Sequence, residues 1–259
     1  KRIGHDILIP PKGQGNAKLG QVVSVEIIDY PDSYRQAVGR VVEVLGEIDD
    51  PGMEIEIAVR KYGVPHLFSA AASKEADALP NEIREEDLEG RIDLRDIPLV
   101  TIDGEDARDF DDAVYCEPVA WGKSKAWRLI VAIADVSHYV KPGHPLDSDA
   151  ISRATSVYFP RRVIPMLPEK ISNGLCSLKP EVDRLCMVCD AVIDMDGEVQ
   201  AYQFYPAVMH SAQRFTYNTV WEILSNSNGP EAARFKHLKK NLDRLYSLYK
   251  VLRAARDKR

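Results

Sequence analysis

The first eighty residues alternate between short apolar runs and turn-forming clusters. Gln21–Ile28, Gln36–Leu45 and Met53–Arg60 each hold a run rich in Val and Ile, the last as Glu54-Ile55-Glu56-Ile57. Gly13–Gly20, Tyr30-Pro31-Asp32-Ser33 and Asp49-Asp50-Pro51-Gly52 punctuate them. Strict alternation over a few residues predicts half-buried strands, and strands at this spacing predict a small antiparallel barrel of the five-stranded OB type. Ala70–Ala78 is Ala-rich and Asn81–Glu89 strongly acidic, which reads as a linker with helical turns and places a domain boundary near residue 83. Beyond it, Ile97–Ile102, Trp127–Val136, Leu185–Ile193 and Gln200–Met209 read as strands, Trp127–Val136 as one buried on both faces. Asp194-Met195-Asp196-Gly197 is the turn between the last two. Asn218–Leu224 reads as a helix. Glu231–Arg256 reads as another, with Leu238, Leu242, Leu245, Leu248 and Leu252 at three- and four-residue steps. The expected fold class is α+β: a barrel over 1–83, then a mixed α/β domain over 84–259.

Composition places the 259-residue chain among ordinary soluble globular proteins, 45% hydrophobic and 29% charged. No apolar run approaches the roughly 18 residues of a membrane span. Four cysteines are too few for a disulfide framework, and the expected location is the cytoplasm. Cys186-Met187-Val188-Cys189 has half the spacing of a zinc site, but it lies in an apolar strand with no second pair nearby, so buried thiols are expected. The net charge of −6 argues against generic nucleic-acid binding, yet it is unevenly spread. Residues 1–89 carry ten Lys and Arg against seventeen Asp and Glu, while 230–259 carry ten against three. The basic tail is most simply the solvated face of a helix.

The densest chemistry is Asp103-Gly104-Glu105-Asp106-Ala107-Arg108-Asp109-Phe110-Asp111-Asp112, with six carboxylates in ten residues. It follows one strand and enters another, Ala113-Val114-Tyr115, so it is held on rigid elements. Crowded carboxylates repel one another, and a bound cation relieves that cost. An EF-hand is excluded, because counting from Asp103 its sixth and twelfth places hold Arg108 and Val114. Hard oxygen donors with an open shell suit Mg²⁺, which binds substrate phosphates. Spacing alone leaves two readings open, a metal-dependent phosphohydrolase and an acidic structural loop.

Thr101–Val114 resembles the signature of the ribonuclease R/II family of 3′→5′ exoribonucleases. Val131–Ser137, Thr155–Pro160, Ile164–Pro168 and Ser172–Leu178 are similar to further segments of that family, so the resemblance covers residues 91–215 almost continuously. Residues 1–80 are similar to its second cold-shock domain. The resemblance implies a metal-binding set of Asp103, Asp109, Asp111 and Asp112, occupied by Mg²⁺ or Mn²⁺. It also implies a terminal-base stack on Tyr158 and single-stranded RNA, read from its 3′ end, as the partner. The expected products are 5′-nucleoside monophosphates. Arg161 and Arg162 are candidates for phosphate contact, and Tyr34, Tyr62, His66 and Phe68 for a stacking face on the barrel. The family's catalytic domain extends past Arg259 and is followed by an S1 domain, so this chain alone is expected to be inactive or weak. An RNA-binding module without catalysis and a phosphohydrolase of small nucleotides are the alternatives.

Overall fold

The computed structural model describes residues 6–32, 34–160 and 162–258. Contacts divide the chain into two compact units, Lys1–Leu67 with Val157–Ile164, and Phe68–Ser156 with Pro165–Arg259. The fold is mixed α+β, as the sequence predicts.

In the smaller unit, β1 (Ile7–Leu8), β2 (Gln21–Asp29) and β3 (Ala37–Glu47) form a sheet in the order β1-β3-β2. β2 and β3 pair antiparallel with three register shifts, which bend the ribbon. The strand expected at Met53–Arg60 is instead a helix, α1 (Met53–Lys61). The segment can also form a helix, with Ile55 one turn from Ala58 and Val59, and the charges decide. Glu54 and Glu56 sit in the first turn and Arg60 and Lys61 in the last, the order a helix dipole favours, and Glu56 pairs with Arg60 one turn on. Gly52, at φ +87°, turns the chain into the helix, and Met53 and Val59 are its buried residues.

The larger unit opens with α2 (Ala70–Ala78), capped by the Ser69 hydroxyl on the Ala72 amide. There follow β4 (Ile92–Asp93), β5 (Val100–Asp103), β6 (Asp112–Trp121), β7 (Ser124–Ala134), the short α3 (Val136–Tyr139) and α4 (Pro145–Arg153). A hairpin of β8 (Val157–Phe159) and β9 (Arg162–Ile164) belongs by its contacts to the smaller unit. The chain resumes with a π-helical segment (Lys170–Leu175), β10 (Asp183–Asp194), β11 (Val199–His210), β12 (Gln213–Thr216), α5 (Tyr217–Ser225), α6 (Pro230–Arg234) and α7 (Lys236–Asp257). The single helix expected over Glu231–Arg256 is interrupted at Phe235, whose ring is buried edge-on against Phe215 at 4.9 Å.

The seven-stranded sheet runs β12-β5-β6-β7-β10-β11-β4, with the two outermost pairs parallel and the rest antiparallel. Its faces bury separate cores. Ala113, Ile130, Ala132 and Val188 pack on one side with α2, α4 and the π-helical segment. On the other side, Val100 and Phe215 pack with α5, α6 and the start of α7, and Cys116 and Ile193 with Leu248 further along α7. The leucine stripe read from the sequence is therefore the inner face of α7. Gly197, at φ +86° in the β10–β11 turn, lies so close to α7 that an added Cβ would stand 2.6 Å from Ala255 Cβ and 3.2 Å from the Val251 carbonyl oxygen. Gly197→Ala should destabilise the larger unit by roughly 2–4 kcal/mol, from the strained dihedral and the overlap together. Calorimetry that gives an unchanged transition would show that this turn does not fix α7.

A buried polar network closes the sheet end near α3. Arg91 Nη2 donates to Asp135 Oδ2 at 2.6 Å, and the two side chains are only 9% and 5% exposed. Asp135 also accepts from the Ser137 hydroxyl and the His138 amide, and His138 Nε2 meets Asp87 Oδ1 at 3.0 Å.

Candidate active site

The acidic segment is the connection between neighbouring antiparallel strands. Asp103 ends β5, Asp112 begins β6, and Asp109 and Asp111 stand between them. Phe110 explains the arrangement of the last three. It is 8% exposed and plugged into the main core, so the aspartates on either side of it are thrown away from that core.

Backbone ties hold the segment at both ends. Arg214 of β12 reaches across from the parallel neighbour and donates Nη2 to the carbonyls of Gly104 (2.7 Å) and Glu105 (3.0 Å). Asn218 holds the Glu105 carboxylate at 2.8 Å. At the other end the Ser177 hydroxyl accepts from the Phe110 amide (3.1 Å) and donates to the Arg108 carbonyl (2.9 Å). The Phe110 and Asp111 carbonyls accept from the Leu178 and Ala134 amides. Arg214 and Ser177 were not singled out by sequence reasoning. They lie 110 and 69 residues from the positions they hold, and only the topology brings them there.

The four aspartates are electrostatically one site. Burial and then the charge of Asp112 raise the Asp103 carboxyl above its ordinary value, with Asp109 adding to the effect and Arg214 opposing it. Crowding by protein raises Asp111, and Asp109, Asp112 and Asp103 add to it. Asp103 Oδ2 is buried and has no hydrogen-bond partner among the described residues. An orphaned carboxylate oxygen among mutually repelling carboxylates is what a hard divalent cation satisfies, so the donor chemistry fits Mg²⁺ or Mn²⁺. As the side chains stand, no three Asp, Glu, His or Cys groups among the described residues converge on one metal position. The backbone is fixed and the carboxylates would have to turn inward.

The other residues singled out belong to other segments of the chain. Tyr158 is on β8 in the smaller unit, 67% exposed. Arg162 forms an ion pair with Glu56 within that unit, and Arg161 lies outside the described residues. Tyr34 and Tyr62 are exposed, whereas Phe68 belongs to the larger unit and lies under the Arg153 guanidinium at 3.6 Å. Cys186 and Cys189 are free, and burial pushes the Cys186 thiol up to about 12. Three apart on one strand, they face opposite sides of the sheet, so they do not form half a zinc site.

Fold and site together define a two-part α+β protein, in which a small β-rich unit is joined to a sheet domain carrying a clamped carboxylate loop. Comparison with known proteins makes the class specific. The cold shock domain model matches residues 1–69 and the RNB domain model residues 91–259. Ribonuclease R of Escherichia coli (strain K12) is 52% identical over 258 residues, which is 100% of this chain and 31% of that protein. Mycoplasma genitalium RNase R in complex with double-stranded RNA superposes with a TM-score of 0.86 at 30% identity, over 97% of this chain and 44% of that one. The same enzyme with ribose methylated single-stranded RNA gives 0.85 at 30% identity, over 97% and 38%. The chain belongs to the RNB-domain family that includes ribonuclease R, and it spans about a third of the length of the curated relatives it matches.

Proposed function

We propose that this chain carries the metal-binding part of a 3′→5′ exoribonuclease that hydrolyses RNA to 5′-nucleoside monophosphates in the cytoplasm. The observation that carries the reading is the carboxylate loop, in which burial and the charges of neighbouring aspartates raise Asp103 and Asp111 on a clamped backbone around an orphaned oxygen. Six carboxylates in ten residues repel a polyanion, so RNA approaches this loop productively only when a cation offsets the charge. Asp103, Asp109, Asp111 and Asp112 would hold Mg²⁺ or Mn²⁺, directly or through waters. When bound, such ions lower the pKa of an attacking water and offset charge on the phosphate. The protein's own part is positional. β5, β6 and their ties fix where the carboxylates start from, and this spares reorganisation during the reaction. Tyr158 offers an exposed ring face on which a terminal base of any identity can stack, worth about 1–3 kcal/mol. The relatives solved in complex with RNA support a nucleic-acid substrate, of which a single-stranded 3′ end would be the part that reaches the loop.

The test is a chimera in which these 259 residues replace the matching 31% of the Escherichia coli enzyme. Given 5′-labelled single-stranded RNA and Mg²⁺ or Mn²⁺, it should produce a ladder that shortens from the 3′ end and release mononucleotides. A folded chimera that binds RNA without shortening it would point to a binding module. Turnover of small nucleotides alone would point to a different phosphohydrolase.

A further inference from the structure

We propose that Ser177 is a positioning residue of the carboxylate site, acting through the backbone on both sides of Asp109. This inference rests on the metal-binding reading of the loop given above. The Ser177 side chain is fully buried, and its hydroxyl uses both of its hydrogen-bonding roles on the loop, accepting from the Phe110 amide and donating to the Arg108 carbonyl. The two peptide groups that flank Asp109 are thus tied to one oxygen atom. That oxygen is itself held in place. The Ser177 carbonyl accepts from Arg184 Nε at 2.9 Å, and Arg184 is a buried arginine of β10. The next residue continues the tie, because the Leu178 amide donates to the Phe110 carbonyl at 2.8 Å. The path from the sheet to the aspartates therefore runs from Arg184 through Ser177 to residues 108–110.

The consequence concerns orientation. No three carboxylates among the described residues converge as the side chains stand, so an aspartate must turn about its side-chain torsions to complete a cation's shell. Such a turn closes the shell only if the Cα–Cβ directions are already set. Phe110 sets them by burial and Ser177 by hydrogen bonding to the peptide units on both sides of Asp109. Without the hydroxyl, the buried Phe110 amide and the part-buried Arg108 carbonyl lose this partner. The backbone then moves to find others, and it carries Asp109 and Asp111 with it.

The experiment compares the wild-type chain with Ser177→Ala, Ser177→Thr and Ser177→Val. Thr and Val have nearly the same volume, so any steric cost is shared and the pair differs in the hydroxyl. Mn²⁺ binding is followed by loss of the free-ion electron paramagnetic resonance signal, well below the melting temperature and without RNA. Leu252→Ala, a partly buried residue on α7, reports what a loss of stability alone does. Ala and Val should weaken Mn²⁺ binding about tenfold or more, Thr should keep it within about threefold, and Leu252→Ala should melt earlier yet bind as wild type. Equal Mn²⁺ affinity in the Thr and Val variants overturns the positioning role and leaves the metal site standing. A wild-type chain that binds no Mn²⁺ removes the metal site and the proposal with it.

Discussion

Asp112→Asn is expected to reduce RNA hydrolysis by about 10³-fold or more while leaving RNA binding unchanged or tighter. Asp112 is the first residue of β6, in register with Ile133 of β7, so its backbone cannot shift to compensate. Asparagine keeps the shape but removes a charge and one hard oxygen donor. The Asp112 charge is also among the causes that raise Asp103 and Asp111. Without it both carboxyls ionise at lower pH, but the lost donor is not replaced. Less negative charge beside a phosphate lowers repulsion, which is why binding should not suffer. Single-turnover cleavage by the chimera, set beside fluorescence anisotropy of RNA in EDTA, separates the two quantities. Cleavage within about threefold of wild type would remove Asp112 from the site.

The largest expected effect on stability lies away from the loop. Asp135→Asn should destabilise the larger unit by about 3–5 kcal/mol, because it leaves the Arg91 charge buried without its partner. The same network gives an acid dependence. Burial works to raise the Asp135 carboxyl, but hydrogen bonds from Ser137 and Arg91 outweigh it and hold the group below its ordinary value. Asp87 is drawn down to about 2, chiefly by Arg84, against the opposing effect of burial. Both groups bind protons more weakly in the folded state than in the unfolded one. Their contribution is therefore complete above the unfolded carboxyl value near pH 4 and is lost as the pH falls toward 2. Urea unfolding between pH 7 and 3 should show wild type losing stability on the acid side, with a shallower loss in the variant. A change at neutral pH below about 1 kcal/mol would show that Arg91 finds another partner.

The sequence was most legible where one local rule acted alone. Long apolar runs became β7, β10 and β11, and the leucine stripe became the buried face of α7. The acidic decapeptide was legible as a candidate site, and its place between two strands was legible because the flanking strands were. Met53–Arg60 was misread because a four-residue alternation is too short to exclude a helix, and the decision came from end charges and from which two residues found a core. The break at Phe235 was hidden in an unbroken helical pattern, since it depends on a ring contact with Phe215. Ser177 and Arg214 were illegible as parts of the site for a different reason. A serine between a cysteine and a leucine and an arginine in a short strand carry no local signal, and their roles exist only once distant segments are adjacent.

The pairing of β5 with β12 also orders events in time. β12 adds the last edge of the sheet beside the aspartates, and Arg214 holds a loop made 110 residues earlier. At elongation rates of about 5–20 residues per second, the loop waits several seconds on the ribosome before its second anchor has even been synthesised. During that interval the carboxylates are present but incompletely held. The carboxylate loop therefore leaves the ribosome with one of its two ties still to come, and its final geometry is set only when β12 follows.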